Sequence, residues 1–447
     1  MPRLSQTIDL LALHRYAPQR YPFLLQSSAT PSALGRYDIL LSFPQDALEL
    51  HGDGALSGPH SDGESEFLRA LDAWWQDDHI DSGQADFPFS GGWFLYLGYE
   101  LAGEVEPALT LLTDSVLPTA LAVRCPAAVI YDHEQDICHF VAEDMAKTDI
   151  AVVEADIRDC GQQHEAQDDH SRWALEASEE QPELFLDAVN VAKQYIVDGD
   201  IYQANLSRKW TASRAKESDA GRIYATLRAT NPGPFAGLAN WNDTYIISSS
   251  PERLLQIRDG IVATRPIAGT RPRSDDRGTD DELSAELFAH PKERAEHVML
   301  IDLGRNDLGR ICEPGSVEVS EMMVLESYAH VHHIVSNVEG RMRSDVTPGD
   351  AIRAVFPGGT ITGCPKVRCM EIISELENSP RGAYTGSFGY LDRNGDMDLN
   401  ILIRTIVMHG NEVSLRAGSG IVADSEPESE LAETRAKAKG LLQALSR

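Results

Sequence analysis

Two stretches of this chain carry the same acidic device. KERAEHVML (292–300) sets Glu293 and Glu296 three residues apart. ESELAETRAKAKGLL (428–442) does the same with Glu430 and Glu433, and adds Lys437 one turn further on. On a helix, positions i, i+3 and i+7 share a face. Four carboxylates turned toward one another would repel unless a cation stood between them. Hard oxygen ligands suit Mg2+, which binds through one or two carboxylates and keeps room for waters and substrate. Taken singly, each pair also fits the solvated face of an amphipathic helix, the commoner use of such spacing.

Other residues suggest anion binding. Arg404 lies in the apolar run LNILIRTIVM (399–408), which reads as a strand with Leu402 and Ile406 on the arginine's own face. A buried arginine must find an anion, either a substrate or a structural carboxylate. AGSGIV (417–422) and FPGGTITGCPK (356–366) are glycine-rich turns whose amides could line a carboxylate. Their glycines could equally serve tight backbone geometry alone. Neither is a P-loop, because Cys364 rather than lysine follows Gly363. His330, His332 and His333 in HVHHIVS do not have a standard zinc spacing, so structural or single-histidine use is the reading. DRNGDMD (392–398) lacks the distal glutamate of a calcium loop and reads instead as an Asn-Gly hairpin turn. Within TRPIAGTRPR (264–273), Ala268 precedes Gly269 and Thr270. Its methyl group can do no acid, base or nucleophilic chemistry.

These residues need elements to hold them. The 447 residues are 42% hydrophobic and 24% charged, an ordinary globular composition with length for a large core. The net charge of −31 (39 basic, 70 acidic) repels nucleic acid and anionic lipid. It would repel a dicarboxylate too, so a site for one must reverse the field locally with a metal ion, arginines or backbone amides. The six cysteines form no CxxC pair, and Asp9 and His14 interrupt the apolar run near the start. Reduced thiols and a cytoplasmic location are the expectation. FLRALDAWW (67–75) reads as helix and GGWFLYLGYE (91–100) as a buried strand. ELFLDAVNVAKQYIVDGD (183–200) reads as a helix with Phe185, Val189 and Ile196 on one face, ending at Gly199. LLQIR (254–258) and IVATRPI (261–267) flank Asp259-Gly260, the strongest short hairpin signal, and place Ala268 at the end of the second strand. EVSLRAGSGIV (412–422) pairs with 399–408. An α+β chain follows, with an N-terminal α/β part (1–145), a polar linker region (146–182) and a strand-rich catalytic part (183–447).

Together the chemistry-bearing stretches resemble the chorismate-utilising enzymes, which include anthranilate synthase component I and aminodeoxychorismate synthase component I. The resemblance runs from about Leu184 to the C-terminus and is weaker before it. It is carried by GDIYQANLSR (199–208), SSPERL (249–254), RPIAGTRPR (265–273), ERAEHVMLIDLGRNDLGRIC (293–312), HHIVS (332–336), FPGGTITGCPKVRCMEIISELE (356–377), RGAYTGSFGYL (381–391), MDLNILIRT (397–405) and AGSGIVADSEPESELAETRAKA (417–438). It implies a sandwich of two large antiparallel sheets flanked by helices, with the two halves interwoven. It implies Mg2+ on Glu296 and Glu433, with Glu293 and Glu430 behind them through water. The amides of Gly269 and Thr270 would support the ring carboxylate of chorismate. Tyr384, Arg404 and the Gly418–Ser419–Gly420 turn would hold the enolpyruvyl carboxylate. His333 and Thr360 would contact the ring, and Lys437 would offset the carboxylates. Glu252 would protonate the departing C4 hydroxyl, which requires a raised pKa.

The same resemblance bears on the reaction. Relatives that add water carry a lysine base where this chain has Gln203. Glutamine cannot activate water, so ammonia from a separate class I glutamine amidotransferase subunit is the expected nucleophile. Aminodeoxychorismate synthases typically read PIKGT, and anthranilate synthases read PIAGT, as here at Ala268. YQANLS, FPGGTITG, SGGWFLYLGYE and LLQSSATPSALGRYDILLS resemble the aminodeoxychorismate side. The implied product is 4-amino-4-deoxychorismate, the precursor of p-aminobenzoate and folate. It would form through noncovalent 2-amino-2-deoxyisochorismate, because no lysine stands at position 268. Anthranilate formation and a non-catalytic chorismate-binding subunit are the alternatives.

Overall fold

The computed structural model describes residues 4, 8–27, 35–81, 86–114, 116–144, 150–164, 174–214, 219–274, 276–289, 291–327 and 331–446. For 162–164, 270–272, 291–293 and 331 it gives the backbone course alone. Among these residues, 22 strands form two antiparallel sheets of 11 strands each. The first sheet runs in the order Gly363–Cys364, Gln203–Ser213, Glu412–Ile421, Thr405–His409, Thr244–Ser250, Phe235–Trp241, Phe23–Gln26, Tyr37–Ser42, Ala127–Asp132 and Ile137–Ala142. The second runs Ile267–Pro272, Val331–Arg341, Ile261–Arg265, Arg253–Arg258, Met397–Asn400, Ser387–Asp392, Gly92–Leu97, Ala120–Cys125, Ala47–Leu50 and Leu56–Ser57.

The sheets pack face to face over Phe23, Ile39, Phe94, Tyr96, Ala239, Phe388 and Leu402. Phe23 from one sheet and Phe94 from the other stack with ring centroids 3.8 Å apart. Each outer face is closed by helices, as an amphipathic stripe requires. Phe67–Asp78 and Pro348–Val355 bury Phe67, Leu71, Ile352 and Val355 against the second sheet. Leu10–Tyr16, Ala220–Thr230 and Pro427–Ala444 cover the first with Leu13, Tyr224, Leu227 and Leu441. The order of layers is helix, sheet, sheet, helix. None of the described helices is long and apolar enough to cross a membrane.

In each sheet a block of strands from the C-terminal part lies beside a block from the N-terminal part, and the two blocks meet at one strand pair. Phe23–Gln26 pairs with Phe235–Trp241, and Gly92–Leu97 pairs with Ser387–Asp392. The N-terminal residues therefore complete sheets whose other strands come from the C-terminal part. Within the polar region 146–182, Ile150–His164 forms a helix whose Val153 and Ile157 are buried.

Local signals mark several elements correctly. The expected helices lie at Phe67–Asp78 and Pro182–Val197, and Gly199 beyond the latter has φ +85°. Asp259 and Gly260 turn the hairpin at φ +51° and +74°, both left-handed as a tight right-twisting hairpin demands. The Asn394-Gly395 turn joins Ser387–Asp392 to Met397–Asn400.

Two strand assignments change. Residues 399–408 are not one strand. Met397–Asn400 belongs to the second sheet and Thr405–His409 to the first, so 401–404 crosses between them. Arg404 ends that crossing at φ +52° instead of sitting mid-strand beside Leu402 and Ile406. Ala268 likewise does not end the Ile261–Arg265 strand. Pro266, which has no N–H to donate, interrupts it, and Ala268 lies in a new strand, Ile267–Pro272.

Candidate functional site

The chemistry-bearing residues gather where the chain passes from one sheet to the other. Ser250, Pro251 and Glu252 carry it from Thr244–Ser250 in the first sheet to Arg253–Arg258 in the second. Residues 401–404 carry it back. The two crossings are bonded side by side. Ser249 N donates to Arg404 O at 3.1 Å, Ile401 N to Glu252 O at 3.0 Å, and Ser250 Oγ to Ile401 O at 2.5 Å. Corners of this kind re-aim side chains out of the alternating in-and-out pattern of a strand. Glu252 and Arg404 thus come within electrostatic reach of each other.

Glu252 is buried, and its Oε1 meets no regular hydrogen-bond partner among the described residues. Burial pushes its pKa up to about 7. The Thr360 hydroxyl, the Ile267 backbone, Lys437 and Arg404 only partly oppose that shift. Thr360 Oγ1 stands beside the carboxyl without regular hydrogen-bond geometry. Burial is also the main reason the Arg404 guanidinium titrates below its ordinary range, with Glu252 acting in the opposite direction. Near neutral pH the carboxyl is therefore partly protonated and could donate a proton, with the Arg404 guanidinium within electrostatic reach.

A second wall is the strand Ile267–Pro272, paired with Val331–Arg341. Ala268 lies opposite Ile334 and Thr270 opposite His333, with a bulge between at Gly269, whose φ is +70°. That bulge breaks the ladder at 268–270, the backbone expected to face a carboxylate. Ala268 is buried. His333 Nδ1 lies 3.4 Å from Gly269 O. Burial, then Arg404, depresses the His333 pKa to about 3, so its imidazole stays neutral. His332 is used structurally, between Ser327 Oγ at 2.7 Å and Asp280 Oδ1 at 3.0 Å. His330 lies outside the described residues.

The third wall is the strand pair Gln203–Ser213 and Glu412–Ile421. In its register Asn205 faces Gly420, Leu206 faces Ser419 and Ser207 faces Gly418. A Cβ on Gly420 would stand 2.6 Å from Gln203 Nε2, and one on Gly418 would stand 2.5 Å from the Tyr384 hydroxyl. Both glycines therefore make room for the side chains of Gln203 and Tyr384. Gln203 Nε2 donates to Glu296 Oε1 at 3.0 Å, while Gln203 Oε1 is buried without a partner among the described residues. Asn205 Nδ2 lies 3.5 Å from the Tyr384 hydroxyl. Ser419 Oγ donates to Glu430 Oε2. Lys437 Nζ donates to Gly418 O at 3.0 Å and pairs with Glu433 Oε1 at 2.7 Å.

The acidic pairs lie on the helices Pro291–Gly309 and Pro427–Ala444, as the spacing predicts. Glu296 and Glu430 approach successive stretches of one strand, at Gly420 and Ser419. The side chain of Glu293 is not among those described. These are hard oxygen donors of the kind a divalent cation takes. As they stand they engage Gln203, Ser419 and Lys437. No group of three or more such side chains among the described residues is close enough to hold a metal.

Sequence reasoning missed a buried ionic cluster behind Tyr384. Glu377 pairs with both Arg381 and Arg416. Pro380 between Glu377 and Arg381 removes any helical pairing signal, and only the apolar neighbours of Arg416 hint at burial. A separate cavity of about 500 Å3 between the sheets, with Phe94, Tyr96 and Trp241 in its walls, touches none of the residues expected at the site.

The sequence matches the family described as chorismate binding enzyme over residues 32–443. Anthranilate synthase component 1 of Synechocystis sp. is 38% identical, over 96% of this chain and 91% of that protein. Aminodeoxychorismate synthase component 1 of Bacillus subtilis is 39% identical, over 88% of this chain and 84% of that one. The crystal structure of anthranilate synthase component I from Streptococcus pneumoniae superposes with a TM-score of 0.80 at 32% identity, covering 92% of this chain and 93% of that one. The family match spans nearly the whole chain, both kinds of component I are equally near, and the sandwich is shared. This chain therefore belongs to the chorismate-binding enzymes, of the anthranilate and aminodeoxychorismate synthase component I type.

Proposed function

We propose that this chain is an aminodeoxychorismate synthase component I, converting chorismate and ammonia to 4-amino-4-deoxychorismate. The observation that carries the chemistry is Glu252, a buried carboxyl whose pKa of about 7 suits proton donation, set on one sheet crossing against Arg404 on the other. Glu252 delivers its proton to the C4 hydroxyl as that group leaves. Arg404 and Tyr384 hold the enolpyruvyl carboxylate, and the backbone at Gly269 and Thr270 takes the ring carboxylate. Neutral His333 packs against the ring without adding charge.

Gln203 supports ammonia over water as nucleophile. Its Nε2 is committed to Glu296, and an amide has no basic lone pair with which to deprotonate water. Ammonia carries its own lone pair and needs no base. Component I relatives imply a separate glutamine amidotransferase subunit to supply it.

Ala268 sets the route. A first ammonia attacks C2 and the C4 hydroxyl leaves as water with the proton from Glu252, giving bound 2-amino-2-deoxyisochorismate. A second ammonia attacks C4 and the C2 amine leaves as ammonia. Mg2+ would be held by Glu296 and Glu433, with Glu293 and Glu430 behind. When bound, it offsets the charge of the ring carboxylate in a chain of net charge −31. Lys437, already on Glu433 and Gly418, keeps part of that cluster neutral in its absence.

One observation favours a second reading, anthranilate synthase component I: the PIAGT sequence around Ala268. Product analysis separates the two. Purified chain is incubated with chorismate, Mg2+ and ammonium at mildly alkaline pH. A product that becomes p-aminobenzoate only after a lyase is added supports the proposal. Fluorescent anthranilate overturns it in favour of the second reading. Chorismate binding without turnover assigns the chain to a non-catalytic binding subunit.

A further inference from the structure

Behind the site lies the cluster built on Glu377, the last residue of the helix Lys366–Glu377. Its Oε1 accepts from Ser207 N at 2.7 Å, Ser207 Oγ at 2.9 Å and Arg381 Nη2 at 2.6 Å. Its Oε2 accepts from Arg381 Nε and from Arg416 Nη2, each at 3.0 Å. All three side chains are at least 95% buried, with exposures of 3%, 1% and 5%.

The two arginines extend the bonding outward. Arg381 donates to Asn205 O at 2.6 Å, to Ile361 O at 3.3 Å and to Thr385 Oγ1 at 3.2 Å. Its guanidinium lies 4.8 Å from the Tyr99 ring centroid and 5.5 Å from that of Tyr384. Arg416 donates to Ser207 Oγ at 3.0 Å, Ser379 Oγ at 3.1 Å and Pro380 O at 3.3 Å. Arg381 N also donates to the buried Glu100 at 2.7 Å, which fixes the start of the turn that carries Tyr384.

Three charges buried together are weak evidence for stability, since well-packed apolar groups often serve as well. What this triad does is join four elements that each bear a residue of the site. Asn205 and Ser207 lie on the strand of Gln203. Ile361 follows Thr360, Thr385 follows Tyr384, and Arg416 precedes Gly418 on its strand. One carboxylate against two guanidinium groups also leaves the triad with a net positive charge.

We propose that Glu377, Arg381 and Arg416 are positioning residues that set the spacing of Tyr384 and the 418–420 backbone for the substrate's side-chain carboxylate. The inference deepens the site reading given above and rests on it. None of the three need touch substrate.

The test compares wild type with Arg381→Lys and Arg416→Lys, which keep the charge but lose the planar fork. Chorismate affinity is measured by calorimetry, and KM and kcat are measured well below the thermal midpoint. Expected is an increase in Kd and KM on the order of tenfold, with kcat changed far less. A fall in thermal midpoint with Kd and KM unchanged would show a merely structural triad and overturn the proposal. Should either lysine variant fail to fold, Ser207→Ala removes one donor to Glu377 and one acceptor of Arg416 and leaves all three charges. It must raise KM severalfold, and unchanged kinetics overturns the proposal equally. A wild-type chain that does not bind chorismate defeats the underlying site reading, and the positioning role with it.

Discussion

Gln203 Nε2 donates to Glu296 Oε1 at 3.0 Å, joining the first sheet's strand to the acidic helix Pro291–Gly309. The contact lies above Gly420, whose missing side chain makes the space for it. It places one of the amide's two N–H donors on a carboxylate expected to serve a cation. Position 203 therefore contributes an amide and no basic group to the polar wall.

Gly420→Ala tests this relationship. The added methyl would stand 2.6 Å from Gln203 Nε2 and displace it from Glu296. A misplacement of about 1 Å at a reacting centre costs about a hundredfold in rate. Steady-state kinetics should show kcat/KM falling at least tenfold, with the Mg2+ requirement raised. Unaltered kinetics would show that the Gln203–Glu296 contact is dispensable.

Glu252→Gln keeps the shape and removes the proton. Loss of a general acid lowers kcat by about 10²–10⁴-fold. In the wild type, kcat should fall as pH rises through about 7, because the raised pKa keeps the donor protonated below that value and empties it above. The variant's residual rate should lack that limb. The same shift acts on stability. The folded chain holds a proton on Glu252 that the unfolded chain releases near 4.5, so this carboxyl's contribution is complete below 4.5 and is lost as pH rises to about 7. The wild-type minus variant difference in thermal midpoint should decline over that window.

Ala268→Lys restores an amine to the strand Ile267–Pro272. If C2 of the substrate faces position 268, the amine attacks C2, the C4 hydroxyl leaves as water, and the protein gains the mass of chorismate less water. Intact-protein mass spectrometry after brief incubation without ammonium should show the adduct. Its absence from a folded variant that binds chorismate would place C2 elsewhere.

The noncovalent route requires two ammonia molecules delivered for each product formed. In a complex with its glutaminase, and with free ammonia removed, two glutamines should be hydrolysed per chorismate consumed. A ratio of one rules the route out.

Local turn and helix signals were legible in the sequence, and chain crossings were not. Asp259-Gly260 and Asn394-Gly395 announced their turns because the left-handed backbone at Asp259, Gly260 and Gly395 favours those residue types. The glutamate pairs announced their helices by spacing alone. LNILIRTIVM reads as one strand because its apolar run is continuous. Hydrophobic periodicity cannot register that the chain changes sheets between Asn400 and Thr405, where both environments are buried. That change is what frees Arg404 from strand geometry. Pro266 was the available sign that Ala268 begins a new strand. The Glu377–Arg381–Arg416 cluster was invisible because Arg416 reaches it from 39 residues away in sequence.

The protonation state of Glu252 is the most direct test. An infrared difference titration of wild type against Glu252→Gln, without substrate, isolates that one carboxyl. The protonated-carboxyl band should disappear with a midpoint near pH 7. A midpoint near 4.5, the ordinary value, would mean that Glu252 is already ionised at working pH and donates no proton.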